Sequence, residues 1–115
     1  MSDLDFSSFV SPAPHPGEHL RADFLPEYGL TPGSLAKAMG LRDRTRIERL
    51  VRGAQPVTPD TALRLARVFG TSPQFWMNLQ SLYELRIAQR ESGRAIRALP
   101  TLKSVHSQGM KRRAG

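Results

Sequence analysis

The chain contains no cysteine, which excludes a disulfide framework, a thiolate zinc site and a cysteine nucleophile together. It has no apolar run near the ~20 residues that a bilayer span needs. Met1 to Val10 carries Asp3 and Asp5 where a secretory leader would carry positive charge. A cytoplasmic protein without membrane contact is the expectation. There is no glycine-rich phosphate loop and no nucleophile paired with a base at a recognisable spacing. The stretch HPGEH, with His15, Glu18 and His19, has the outline of a helical metal pair. Pro16 and Gly17 interrupt the turn that would bring both imidazoles to one face, and His106 stands far off in the tail. The residues therefore predict no enzyme, no metal and no cofactor, with His15 a helix cap and His19 a surface residue. Acid is absent as well from Ser92 to Gly115, a stretch holding Arg94, Arg97, Lys103, Lys111, Arg112 and Arg113.

At 115 residues the chain has room for one domain with a modest core. Its formal net charge is +7, of which the tail contributes +6, Asp3 and Asp5 contribute −2, and the body from Pro16 to Glu91 stands near balance at +3. Within that body, Arg42, Arg44, Arg46, Arg49 and Arg52 crowd one short segment against Asp43 and Glu48. Such a concentration says more about nucleic acid than a high isoelectric point does.

Helix starts are marked by X-Pro steps at His15-Pro16, Thr31-Pro32, Thr58-Pro59 and Ser72-Pro73, where proline suits the first helical position and Thr or Ser can cap free amides. Gly29, Gly40, Gly53 and Gly70 follow apolar-periodic stretches and mark the stops. The chain therefore reads as all-α: five helices at about 17–28, 32–39, 43–52, 59–69 and 73–91 and no strand. Residues 1–14 read as a flexible leader, 15–91 as the folded domain and 92–115 as a basic tail. Leu20, Phe24 and Tyr28 share a face of the first helix at steps of four, and Leu35 with Met39 do so in the second. The fourth helix is apolar around much of its girth, which suggests a central place, with Arg64 and Arg67 on its open side. The fifth carries more apolar surface than a terminal helix needs. Phe75, Trp76, Leu79, Leu82 and Tyr83 form either one wide core face or a core strip beside a contact with a second subunit.

Between Thr31 and Gly53 a short helix, a glycine and an arginine-rich helix follow one another, the layout by which a protein presents a cationic helix to a DNA groove. A recognition helix must bury one stripe and leave the opposite one free near its amino end. Asp43 is placed to cap this helix, and Ile47 and Leu50 to anchor it. The outward face is then Arg44, Thr45, Glu48 and Arg49, flanked by Arg46 and Arg52. Arginine can donate two hydrogen bonds to guanine O6 and N7, and threonine offers a hydroxyl and a methyl. The helix before it should supply phosphate contacts through Thr31, Ser34 and Lys37, with Arg42 and Arg52 as further candidates. The competing reading is a solvated cationic face pairing with Asp43, Glu48 or Asp60.

The segment LAKAMGLRDRTRIERLVRG resembles the helix-turn-helix of the lambda/434 repressor-like class. HPGEHLRADF, TPDTALRLARVFGTSPQFWMNLQ and YELRIAQ resemble the HigA family of antitoxins within it. That resemblance covers about His15 to Glu91. It implies a five-helix domain that forms a homodimer, binds a double-stranded operator upstream of its own genes and represses them. It also implies a partner, a HigB-type toxin of the RelE-like ribonuclease class that cleaves messenger RNA. The family's base-facing residues fall on Arg44, Thr45 and Arg49, with Asp43 and Arg46 beside them. One departure is visible. Gly40 precedes Ile47 by seven positions instead of the usual six, so the turn holds an extra residue near Arg42 and Asp43. Phe6 and Phe9 of the leader, with Leu20 and Phe24 of the first helix, are the candidates for toxin contact. The alternative is a repressor of the same fold that has no toxin.

Overall fold

A computed structural model describes residues 13–103, helices joined by short loops, with no strand among the described residues. Helix α1 consists of three consecutive segments, Pro16–His19, Leu20–Phe24 and Leu25–Tyr28. Helices α2 (Pro32–Ala38), α3 (Thr45–Val51), α4 (Pro59–Phe69) and α5 (Pro73–Arg97) follow. Each of the four X-Pro steps at Pro16, Pro32, Pro59 and Pro73 opens a helix, and the residue before the proline caps it. Thr31 Oγ1 accepts from the Ser34 amide at 3.1 Å, Thr58 Oγ1 from Thr61 at 3.3 Å, Ser72 Oγ from Phe75 at 3.0 Å and His15 Nδ1 from Gly17 at 2.9 Å.

The middle of α1 departs from the regular pattern. The Leu25 amide bonds to the Leu20 carbonyl five residues back, and Leu20–Phe24 is π-helical. Pro26 supplies the reason: it has no N–H to give to the Ala22 carbonyl, and its ring would strike that carbonyl in a tight α-turn, so the backbone widens just before it. The widening adds Leu25 to the buried face beside Leu20. Phe24 is half-buried, and Tyr28, though 55% exposed, shares its face, since both rings pack on Phe69 with centroids 4.9 and 5.2 Å away.

The core draws Leu20 from α1, Leu35 from α2, Ile47 and Leu50 from α3, Ala62 and Leu65 from α4 and Trp76 from α5. Helix α4 buries one stripe rather than its whole girth, because Leu63 is 59% exposed beside Arg67. Trp76 corrects the reading of α5. It is fully buried within one chain, its Nε1 donates to Thr71 Oγ1 at 2.8 Å, and its ring packs on Phe24 and Phe75 with centroids 4.9 and 5.0 Å away. It fills the gap where the first turns of α5 meet α1 and α4, so it is not surface for a second subunit. Further along, Gln80 accepts from the Val57 amide at 2.8 Å and donates to Glu84 at 2.7 Å, pinning the loop between α3 and α4 to α5.

Helix α5 also outruns expectation. Residues 92–97, read as the start of a tail, are helical. Gly93 stays in the helix, and the nearest real barrier is Pro100, which disfavours helical backbone at Leu99 and ends the helix at Ala98.

Candidate nucleic-acid interface

Helices α2 and α3 are joined by six residues, Met39 to Arg44. Gly40 makes the turn at φ 76°, a left-handed conformation that costs glycine nothing, and the Leu41 amide reaches back to the Ala36 carbonyl at 2.9 Å. Helix α3 begins at Thr45. Leu41 packs against the core while Arg42 stays outside. Asp43 Oδ1 accepts from the Thr45 amide at 2.9 Å, and this hydrogen bond holds its carboxyl below the ordinary carboxylate range. The first turn of α3 is fixed by that bond.

Three contacts hold α3 in place. Behind it, Ile47 and Leu50 are buried. On its flank, Arg46 Nη1 lies 2.6 Å from Asp60 Oδ2 and 3.3 Å from Thr61 Oγ1, while Arg64 Nε meets the same Asp60 oxygen at 2.9 Å and Arg64 Nη1 donates to the Met39 carbonyl at 2.8 Å. Asp60 thus ties α3 to α4, and Arg64 ties α4 to the end of α2. The two guanidiniums hold the Asp60 carboxyl below its usual range. This tie contributes above that range and is lost only as pH falls through the lowered value. At its carboxyl end, α3 rests on the first turn of α1, where Gly17 leaves room for the Leu50 carbonyl.

His15 links that first turn to two other elements. Its Nδ1 caps α1, its ring sits edge-on to Tyr83 of α5 with centroids 4.8 Å apart, and it hydrogen bonds to the Gln55 backbone in the loop after α3. Burial lowers its pKa below the ordinary histidine value, against weaker opposite pulls from that Gln55 bond and the Glu84 charge. Folding therefore favours the neutral ring, whose Nδ1 must accept. Its contribution is complete above about pH 6.5 and is lost as pH falls through the lowered folded value. Urea midpoints of the wild-type chain should fall between about pH 7 and 5, and His15→Asn, which keeps a capping oxygen, should flatten that fall. Equal slopes in the two proteins would remove His15 from the account.

What remains outward is a cationic front. Arg44, Thr45, Arg49, Arg42 and Arg52 are all exposed, and Lys37 faces out from α2. Arg44, 68% exposed, pairs with Glu48 at 2.9 Å and runs across Gly33 of α2. A shallow groove between the helices is lined by Gly33, Ala36, Lys37, Leu41, Arg42, Asp43 and Arg44. Other expected contact residues have partners within the chain. Arg46 is tied to Asp60 and braces α3 against α4, and Asp43 Oδ1 accepts from the Thr45 amide. Thr31 and Ser34 bond to one another in a reciprocal capping box. Leu20 is fully buried and offers nothing to a toxin, and Phe24 packs its ring on Phe69 and Trp76. Phe6 and Phe9 lie outside the described residues. The Arg64 cap on α2 escaped the sequence reading, although Asp60 and Arg64 at i and i+4 were its visible trace. Among the described residues, no three His, Asp or Glu side chains gather where a metal could sit, and no helix is long and apolar enough to cross a membrane.

Two short helices across a glycine turn, the second anchored behind and cationic in front, define a helix-turn-helix protein. A helix-turn-helix family model matches residues 20–76. The chain is 45% identical over 80 residues to virulence-associated protein I of Dichelobacter nodosus, covering 70% of this chain and 73% of that protein. It is 34% identical over 86 residues to antitoxin HigA-1 of Vibrio cholerae, covering 72% and 80%. Among solved structures, the HigA antitoxin of Pseudomonas aeruginosa with the higBA promoter superposes with a TM-score of 0.73 at 41% identity, covering 78% of this chain and 98% of that one. The chain belongs to the HigA family of helix-turn-helix antitoxins.

Proposed function

We propose that the chain binds double-stranded operator DNA with α3 in the major groove, represses its own operon as a cytoplasmic homodimer, and neutralises a HigB-type ribonuclease toxin. The observation that carries this reading is the shared outward face of Arg44, Thr45 and Arg49, held from behind by the buried Ile47 and Leu50, in a family with a member solved on promoter DNA. Arg44, Thr45 and Arg49 read bases. Lys37, Arg42 and Arg52 hold phosphates, and Arg46 sets the angle of the helix. The dimer contact is placed on the outer part of α5, where Leu85 and Ile96 are 51% and 54% exposed on one strip with Leu82. Phe75, Leu79 and Tyr83 stand nearer the body, and Trp76 takes no part.

The test joins two measurements on the full chain: a gel shift with the DNA upstream of its own reading frame, and copurification with the product of the neighbouring gene. A shift at nanomolar protein with a bound ribonuclease is expected. A shift without any ribonuclease partner would favour the toxin-free repressor, and no shift on that DNA would remove the operator reading.

A further inference from the structure

Beyond Glu91 the sequence becomes wholly basic, and the structure gives that change a shape. Arg90, Arg94 and Arg97 stand on successive turns of α5 at steps of four and three, so they share one strip of the helix. All three are exposed, and among the described residues their side chains make no ion pair or hydrogen bond. Several acids elsewhere are already engaged: Glu18 with Arg21, Asp23 with His19, Glu48 with Arg44, and Asp60 with Arg46 and Arg64. Of the nearby acids on α5, Glu84 sits about 100° round the helix from the strip, and Glu91 borders it three residues before Arg94 without pairing to it among the described residues. Arg94 and Arg97 fall in the last turn and favour its free carbonyls, but that effect fades within one turn and does not account for Arg90. The charge also continues past the helix, since residues 104–115 add Lys111, Arg112 and Arg113 and no acid. Helix α5 packs on α4 and α1, so this strip is a separate surface from the front of α3.

We propose that the strip of Arg90, Arg94 and Arg97 is a second nucleic-acid surface, taking the phosphates of duplex DNA outside the groove that α3 occupies and reading no sequence. The strip spans about 10 Å of helix axis, over which a duplex presents about six phosphate charges. Arginine's planar fork matches phosphate oxygens. This proposal rests on the DNA-binding reading of α3 for its context, and the two are separable by experiment.

The strip is tested in the full chain carrying Arg90→Gln, Arg94→Gln and Arg97→Gln together, beside a second variant carrying Arg44→Ala and Arg49→Ala. Binding to an operator duplex with extended flanks and to an unrelated duplex is followed as a function of salt, with circular dichroism confirming helix content. The strip variant should weaken on both duplexes by a similar factor, keep the ratio between them, and lose up to about 2.7 from its slope of log affinity against log salt, about 0.9 for each phosphate contact. The second variant should lose the ratio and keep the strip's share of the slope. Wild-type slope and affinity in the strip variant would overturn the second surface while leaving the α3 reading intact. Such unchanged DNA binding, joined to lost affinity for a polyglutamate probe, would make the strip a site for acidic protein instead. If the wild-type chain shows no operator preference, the α3 reading fails, and the strip is judged on the unrelated duplex alone.

Discussion

Replacing Trp76 with alanine should lower the stability of the domain by about 3–5 kcal/mol, the range for removing a large aromatic side chain from a packed core. The side chain is fully buried, and its loss opens a void between α1, α4 and α5 while leaving Thr71 Oγ1 without its indole partner. Against a typical domain stability of about 5–15 kcal/mol, the variant is left marginal. In urea this corresponds to a midpoint lower by about 2 M, taking a slope of about 2 kcal/mol/M. The size of the effect separates two roles for the residue. A core tryptophan costs stability at every protein concentration, whereas an interface tryptophan would leave a sound monomer. A Trp76→Ala chain with an unchanged midpoint that sediments as a monomer would return the residue to the dimer contact.

The second large effect concerns a pair of positions that look alike in sequence. Gly17 follows His15-Pro16 and Gly33 follows Thr31-Pro32, so each is the second residue of a proline-initiated helix. A Cβ on Gly17 would stand 1.8 Å from the Leu50 carbonyl oxygen and 2.7 Å from its carbon, both backbone atoms that cannot swing away. A Cβ on Gly33 would meet Arg44 Cδ at an ordinary 3.5 Å. Gly17→Ala must therefore push apart α1 and the end of α3, at about 3 kcal/mol or more, the upper part of the range for overpacking. It should also weaken DNA binding beyond what lost stability explains, because the displaced element is the recognition helix. Gly33→Ala should be neutral or slightly stabilising, since alanine is the better helix former by about 1 kcal/mol. Equal outcomes at the two glycines, by thermal melts and gel shift, would mean that α1 does not buttress α3.

These two residues also mark where the sequence stops being readable. The helix starts were legible because proline and its capping neighbour act within four residues, and all four caps are found in place. The anchoring of α3 by Ile47 and Leu50 follows from spacing alone and needs no knowledge of the neighbours. Gly17 and Trp76 depend on what packs against them from across the fold, which spacing does not encode. For Arg46 the sequence named Asp60 among the possible ion-pair partners of the cluster, but spacing does not say which arginine takes it, because the two lie fourteen residues apart on different helices. In α1 the signal is local, since Pro26 is incompatible with a regular helix there and the backbone widens just before it. The far end of α5 was hidden by Ser92-Gly93, a breaker in isolation that the surrounding helix formers carry through.

The central claim is that α3 meets base edges with Arg44, Thr45 and Arg49. It is tested most directly by measuring wild-type and Arg49→Ala chains against a set of operator duplexes changed one base pair at a time. Loss of a bidentate arginine contact should erase about 1–3 kcal/mol of preference, about 5- to 150-fold, at one position in each half-site and leave the other positions as they were. An Arg49→Ala chain of wild-type stability that weakens evenly across every duplex would contradict the account, because the side chain would then be holding phosphate and not reading sequence.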